Sequence, residues 1–105
     1  EYFNIINKSY DFNTMLKDII VYPNPSSLYD IINIKMIGFK KDVLLVLLDM
    51  YGNEHYSKVV ICDNEEVNVT ITDADVKLSS GVYLIIGSSD NSIYSKKLVI
   101  SHQKM

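Results

Sequence analysis

The side chains able to do covalent or acid–base chemistry are few. Nucleophilic catalysis needs a serine or cysteine beside a positioned base, and the chain offers one cysteine, Cys62, and two histidines, His55 and His102. His102 falls in the terminal tail, where few contacts hold a side chain in place. Cys62 and His55 are seven residues apart, and on one strand an odd separation turns two side chains to opposite faces. A buried free thiol and a surface imidazole explain the pair better than a catalytic dyad. Asp73 and Asp75 alternate and could aim two carboxylates at one cation, but calcium takes about six or more oxygens, so turn-forming acids are the better account. A lone cysteine allows neither an internal disulfide nor a metal cluster of several thiolates, and the four glycines form no phosphate-cradling loop. These residues imply no enzyme, no cofactor and no metal site.

The scaffold that carries them is a single domain by size, since 105 residues suffice for one core and not for two. Hydrophobic residues at 48% and charged residues at 22% match an ordinary globular chain and differ from the composition of disorder. A net charge of -3 and a pI near 5.2 provide no basic face for a phosphate backbone, which argues against nucleic acid as a partner. Asp63, Glu65, Glu66, Asp73 and Asp75 cluster mid-chain, while Lys96, Lys97 and Lys104 follow the last acid, Asp90. Solvated loops and ends account for both groups. The longest apolar run, Val43 to Leu48, has six residues, against the roughly 20 of a membrane-spanning helix. No integral membrane segment is expected. Glu1 opens the chain without the charged start and apolar stretch of a signal peptide, which reads as either a cytoplasmic protein lacking its Met or a fragment of something longer, the fragment being the preferred reading.

From Ile19 onward, short β-rich runs alternate with turn residues at the intervals of sandwiches and barrels. Ile32, Ile34 and Met36 alternate with Asn33 and Lys35; Val67, Val69 and Ile71 alternate with Asn68, Thr70 and Thr72. Both runs have the period of two that marks a half-buried strand. The runs from Val43 to Leu48 and from Gly81 to Gly87 are apolar on both faces, which suits central strands whose outer side is also covered. The cover could be a loop, the N-terminal segment, a preceding domain or a partner chain. Tyr51-Gly52-Asn53-Glu54 and Ser88 to Ser92 carry hairpin chemistry, so the run after Gly81 should pair antiparallel with a last strand from Ile93 to Ile100.

Phe12, Met15, Leu16, Ile19 and Ile20 stand at helical spacing behind Asn13 and Thr14. Against that, Ile19 to Tyr22 is β-branched and aromatic, and Pro23 biases Tyr22 toward an extended backbone. Residues 18–22 read as a strand. The domain layout is a linker at 1–18, in which Tyr2 to Ile6 could form an edge strand, and a sandwich at 19–105.

Four blocks then stand in order: Val21-Tyr22-Pro23-Asn24-Pro25 before a strand, Leu48-Asp49-Met50-Tyr51-Gly52, Leu78-Ser79-Ser80-Gly81-Val82-Tyr83, and Lys96-Lys97-Leu98-Val99-Ile100 near the end. The series resembles the C-terminal sorting domain of the type IX secretion system over about residues 19–100. Each block also has a physical task of its own. Pro23 and Pro25 lack N–H donors and stop the first strand; Asn24 can bond its own backbone in the bend. Gly52 supplies turn geometry, and Gly81 admits a bulky strand where a Cβ would clash. Tyr83 packs a ring and keeps its hydroxyl wet or bonded.

The resemblance implies an immunoglobulin-like antiparallel β-sandwich of about seven strands. It also implies a non-catalytic export signal that passes through the periplasm, is read by the type IX translocon, and is cut off by a sortase-like peptidase as its cargo is anchored at the cell surface. The recognition residues it points to are Tyr22, Pro23, Asn24, Pro25, Asp49, Gly52, Leu78, Gly81, Tyr83, Lys96, Lys97 and Val99. The last hairpin is the expected read surface, because a terminal edge strand can accept a partner strand. A different reading is an immunoglobulin-like binding or spacer module of an extracellular enzyme or adhesin. It requires Tyr29, Tyr51, Tyr56 and Tyr94 to group on one sheet face. Dimerisation through the two-sided apolar strands could accompany either.

Overall fold

The computed structural model describes residues 17–101. The linker reading for residues 1–16, with its edge strand at Tyr2 to Ile6 and helix-spaced Phe12, Met15 and Leu16, lies outside them, as do His102 and Lys104.

Among the described residues every regular element is a strand: β1 Asp18–Tyr22, β2 Ser26–Ser27, β3 Ile32–Ile37, β4 Val43–Asp49, β5 Glu54–Val60, β6 Glu66–Ile71, β7 Gly81–Ser89 and β8 Ser92–Ser101. They form a three-stranded sheet, β1-β3-β6, and a five-stranded sheet, β2-β8-β7-β4-β5. The architecture is an immunoglobulin-like sandwich with eight strands in place of about seven. The additional one is β2, two residues long, and it runs parallel to β8, whereas every other pairing is antiparallel. So short an element leaves no periodicity to read.

The alternation decides what is inside. Ile19 and Val21 of β1, Ile32, Ile34 and Met36 of β3, and Val69 and Ile71 of β6 face Val43, Leu45, Leu47, Ile85, Leu98 and Ile100 across the core. Burying each such side chain contributes about 1.5–3 kcal/mol. Gly87 of β7 is buried among them because Ile19 descends onto it: a Cβ there would stand 2.6 Å from Ile19 Cδ1 and 3.2 Å from Val43 Cγ1. At the open ends, Phe39 meets Tyr94 edge-on at 5.2 Å, and the buried Ser89 hydroxyl donates to the Asp42 carbonyl at 3.0 Å.

The apolar runs of β4 and β7 are central; on their outer side Leu44 and Val82 are 43% and 37% exposed while Val46, Leu48, Leu84 and Ile86 are half-buried, and an N-terminal segment, preceding domain or partner chain as cover lies outside the described residues. One expectation changes. The last strand is second from the edge, between β7 and the short β2.

Candidate recognition site

The four blocks condense into two contacts. The first joins the Tyr22-Pro23-Asn24-Pro25 block to the last strand. β1 ends at Tyr22 and β2 begins at Ser26, so the two prolines occupy the crossing from one sheet to the other, and both X–Pro peptide bonds in it are cis. Asn24 does not bond its own bend, as its residue type suggested. Its Nδ2 donates to the Lys97 carbonyl at 2.6 Å, and its Oδ1 accepts from the Val99 N–H at 3.0 Å. The Ser26 hydroxyl, fully buried, donates back to the Pro23 carbonyl and closes the crossing.

The second contact gathers Asp49, Gly52 and Tyr83. Asp49 Oδ1 accepts from the amides of Tyr51 and Asn53 at 2.8 and 3.0 Å, and its Oδ2 faces His55 Nε2 at 2.9 Å and Asn53 Nδ2 at 3.2 Å. Gly52 takes φ +87°, which no side chain accepts easily, and its N–H donates to the Asp49 carbonyl. The ladder between β4 and β5 shifts register after Leu47; within that irregularity His55 reaches back to Asp49 and sets its ring edge-on to Tyr83 at 5.6 Å. The His55 contact is the largest cause holding the Asp49 carboxyl well below the usual carboxylate range. Lost solvation opposes it, and the amides of Asn53 and Tyr51 reinforce it. Tyr83 pairs with Asp49 on one side and Leu98 on the other. Its ring is buried, and its hydroxyl donates to the Ser79 carbonyl at 2.7 Å, tying the loop before β7 to the strand.

Gly81 behaves differently from its steric reading. A Cβ there would meet only Tyr83 Cε1 at 3.9 Å, so what glycine provides is its φ of +153°. Leu78 is half-buried against the core. Lys96 pairs with Asp18 at 3.3 Å, while Lys97 extends from the outer face of β8 with no ionic partner among the described residues. His55, Gly87 and Ser26 matter to this arrangement without having been singled out as recognition residues. For His55 the signal was its place just past a hairpin from an aspartate; for the other two no local signal existed.

The chemical candidates stay apart. Cys62 is buried, and loss of solvation, with the charges of Asp42 and Asp63, pushes its thiol above the ordinary value. His55 is engaged elsewhere, by Asp49. Asp75 accepts from the Thr72 N–H at 2.8 Å as a turn acid, and no group of three or more metal-binding side chains occurs among the described residues. A cleft of about 140 Å³ beside Leu28, Ile71, Leu78 and Ile100 is small next to ligand pockets of roughly 300–1,000 Å³. The tyrosines do not group: Tyr56 and Tyr94 are half-buried against the core, while Tyr29 and Tyr51 are exposed. No helix among the described residues is long and apolar enough to cross a membrane.

Comparison with known proteins bears on the family and the fold. The family model described as secretion system C-terminal sorting domain matches residues 20–101. In structure, the chain is similar to part of PorZ, an essential bacterial surface component of the type IX secretion system of the human oral bacterium Porphyromonas gingivalis. The TM-score is 0.60 at 15% identity, covering 80% of this chain and 11% of that one. It is also similar to part of dimeric latent PorU from the same organism, with a TM-score of 0.58 at 19% identity, covering 83% of this chain and 9% of that one. At these identities the likeness bears on the fold. No curated protein matches by sequence.

Proposed function

The chain belongs to the secretion system C-terminal sorting domain family, and on that premise we propose how it is arranged and read. It is a type IX sorting signal, the kind of module that takes the protein carrying it to the cell surface or extracellular space. In the proposed arrangement residues 1–18 link it to an upstream cargo domain and residues 19–105 are the signal. The module folds in the periplasm and is read by the translocon. A sortase-like peptidase then cuts within the linker and joins the cargo to surface lipopolysaccharide. The module contributes shape and strand surface, with no catalysis of its own.

One observation carries the choice of read surface: the blocks of the family pattern converge on β7 and β8, with Asn24 fastened to β8 and Asp49 of β4 paired with Tyr83 of β7. The last hairpin, Gly81 to Ile100 with Lys96 and Lys97, is therefore the part a receptor meets. The test is export of a reporter fused to this chain, with and without residues 93–105. Loss of surface delivery on truncation is expected, and equal delivery removes the reading.

A further inference from the structure

The outer edge of β8 is closed along only part of its length. β2 pairs with it at Ser26↔Ile100 and Ser27↔Ser101, and the Leu28 N–H donates to the Ser101 carbonyl. Just upstream the backbone ladder stops, because the chain bends through Pro23-Asn24-Pro25 between the end of β1 and the start of β2. The Asn24 side chain takes its place. In a parallel ladder an added residue donates to the carbonyl before its partner and accepts from the N–H after it. Asn24 does both around Leu98, toward Lys97 and Val99, and only this orientation of the amide satisfies the two groups. Beyond that point, from Ser92 to Lys96, β8 is paired among the described residues with β7 alone, and Ile93 is 74% exposed.

We propose that Asn24 is a positioning residue that ends the closed part of the edge, so that a receptor segment adds as a strand to Ser92–Lys96 in one register. This rests on the reading of β8 as the receptor surface. Five residues accommodate a short strand, and main-chain hydrogen bonds supply its attraction while neighbouring side chains select it. Those neighbours are Ile93, Ser95 and Lys97 on the outer face, which suit a partner strand with an aliphatic residue beside Ile93 and a carboxylate beside the Lys97 amine, which has no ionic partner among the described residues.

The experiment combines amide hydrogen exchange on the full chain with reporter export. In Asn24→Ala, Val99 amide protection should fall about five- to tenfold, the loss of one hydrogen bond, while Ser101 keeps its own. Asn24→Asp sets a second acceptor against the Lys97 carbonyl in place of the donor, so it should lower Val99 protection as well. Export should fall in Asn24→Ala but not in Val60→Ala, a core variant that controls for lost stability. Ser95→Pro, which removes an outward N–H where an edge strand tolerates proline, should abolish export with Val99 protection intact; if that variant does not fold, Ile93→Lys with Ser95→Asp replaces it. Unchanged Val99 exchange in Asn24→Ala overturns the role of Asn24. Normal export from the folded edge variants instead overturns the reading of β8 as the receptor surface.

Discussion

The two outer faces of the sandwich are built on the same period and differ in chemistry. On the three-stranded sheet polar side chains dominate, Asn33 and Lys35 of β3 and Glu66, Asn68 and Thr70 of β6, with Lys35 and Glu66 paired diagonally at 3.6 Å; Ile20 and Tyr22 of the edge strand β1 are apolar exceptions there. On the five-stranded sheet they include Leu44, Val46 and Leu48 of β4, Val82, Leu84 and Ile86 of β7, and Val59 of β5, which is 58% exposed. The first face is the ordinary one for an antiparallel sheet with a wet side. The second is a contiguous aliphatic surface of the kind that monomeric soluble proteins keep small. Apolar composition therefore does not identify the core; the direction of a side chain relative to the opposite sheet does.

The sharpest test of that contrast lies within β4. Leu45→Ala, on the inner face, should cost about 2–5 kcal/mol in urea unfolding, whereas Leu44→Ala, one residue away and 43% exposed, should cost about 1 kcal/mol or less. Equal costs would mean that the outer face is covered in solution. Next in size is Gly87→Ala, which places a methyl 2.6 Å from Ile19 Cδ1 and should cost about 1–3 kcal/mol. Trimming Ile19 to alanine in the same chain should give non-additive unfolding free energies, because the two sites share one space. Purely additive values would place the strain elsewhere.

The smallest effect is expected at the solvent-facing turn, where screening weakens charge interactions. Because the folded-state pKa of Asp49 lies below its unfolded value, its carboxylate stabilises fully above about pH 4, and that contribution fades as pH falls toward the folded value. Asp49→Asn should therefore melt below wild type at neutral pH, with the gap closing in acid. A gap independent of pH would show that the charge is not what holds the turn.

The strands of this chain were legible because alternation and turn chemistry are local. Ile32 to Met36 and Val67 to Ile71 announce one buried face each, and Gly52 and the residues around Asp90 announce their hairpins. Asn24 shows the limit of such reading. Two flanking prolines mark a bend, but its partners are the Lys97 carbonyl and the Val99 N–H, 73 and 75 residues away.

By itself the sequence determined an all-β chain, the positions of most strands, and the order of four blocks that resemble a sorting signal. Only the tertiary structure decided that β2 exists and runs parallel, that Gly87 must make room for Ile19, that Leu44 and Val82 are exposed on the aliphatic outer face, and that Asn24 completes the edge of β8. The reason is physical. Periodicity and turn preference act between residues a few positions apart, whereas edge closure and core fit are set by which distant strands are brought side by side when the two sheets stack.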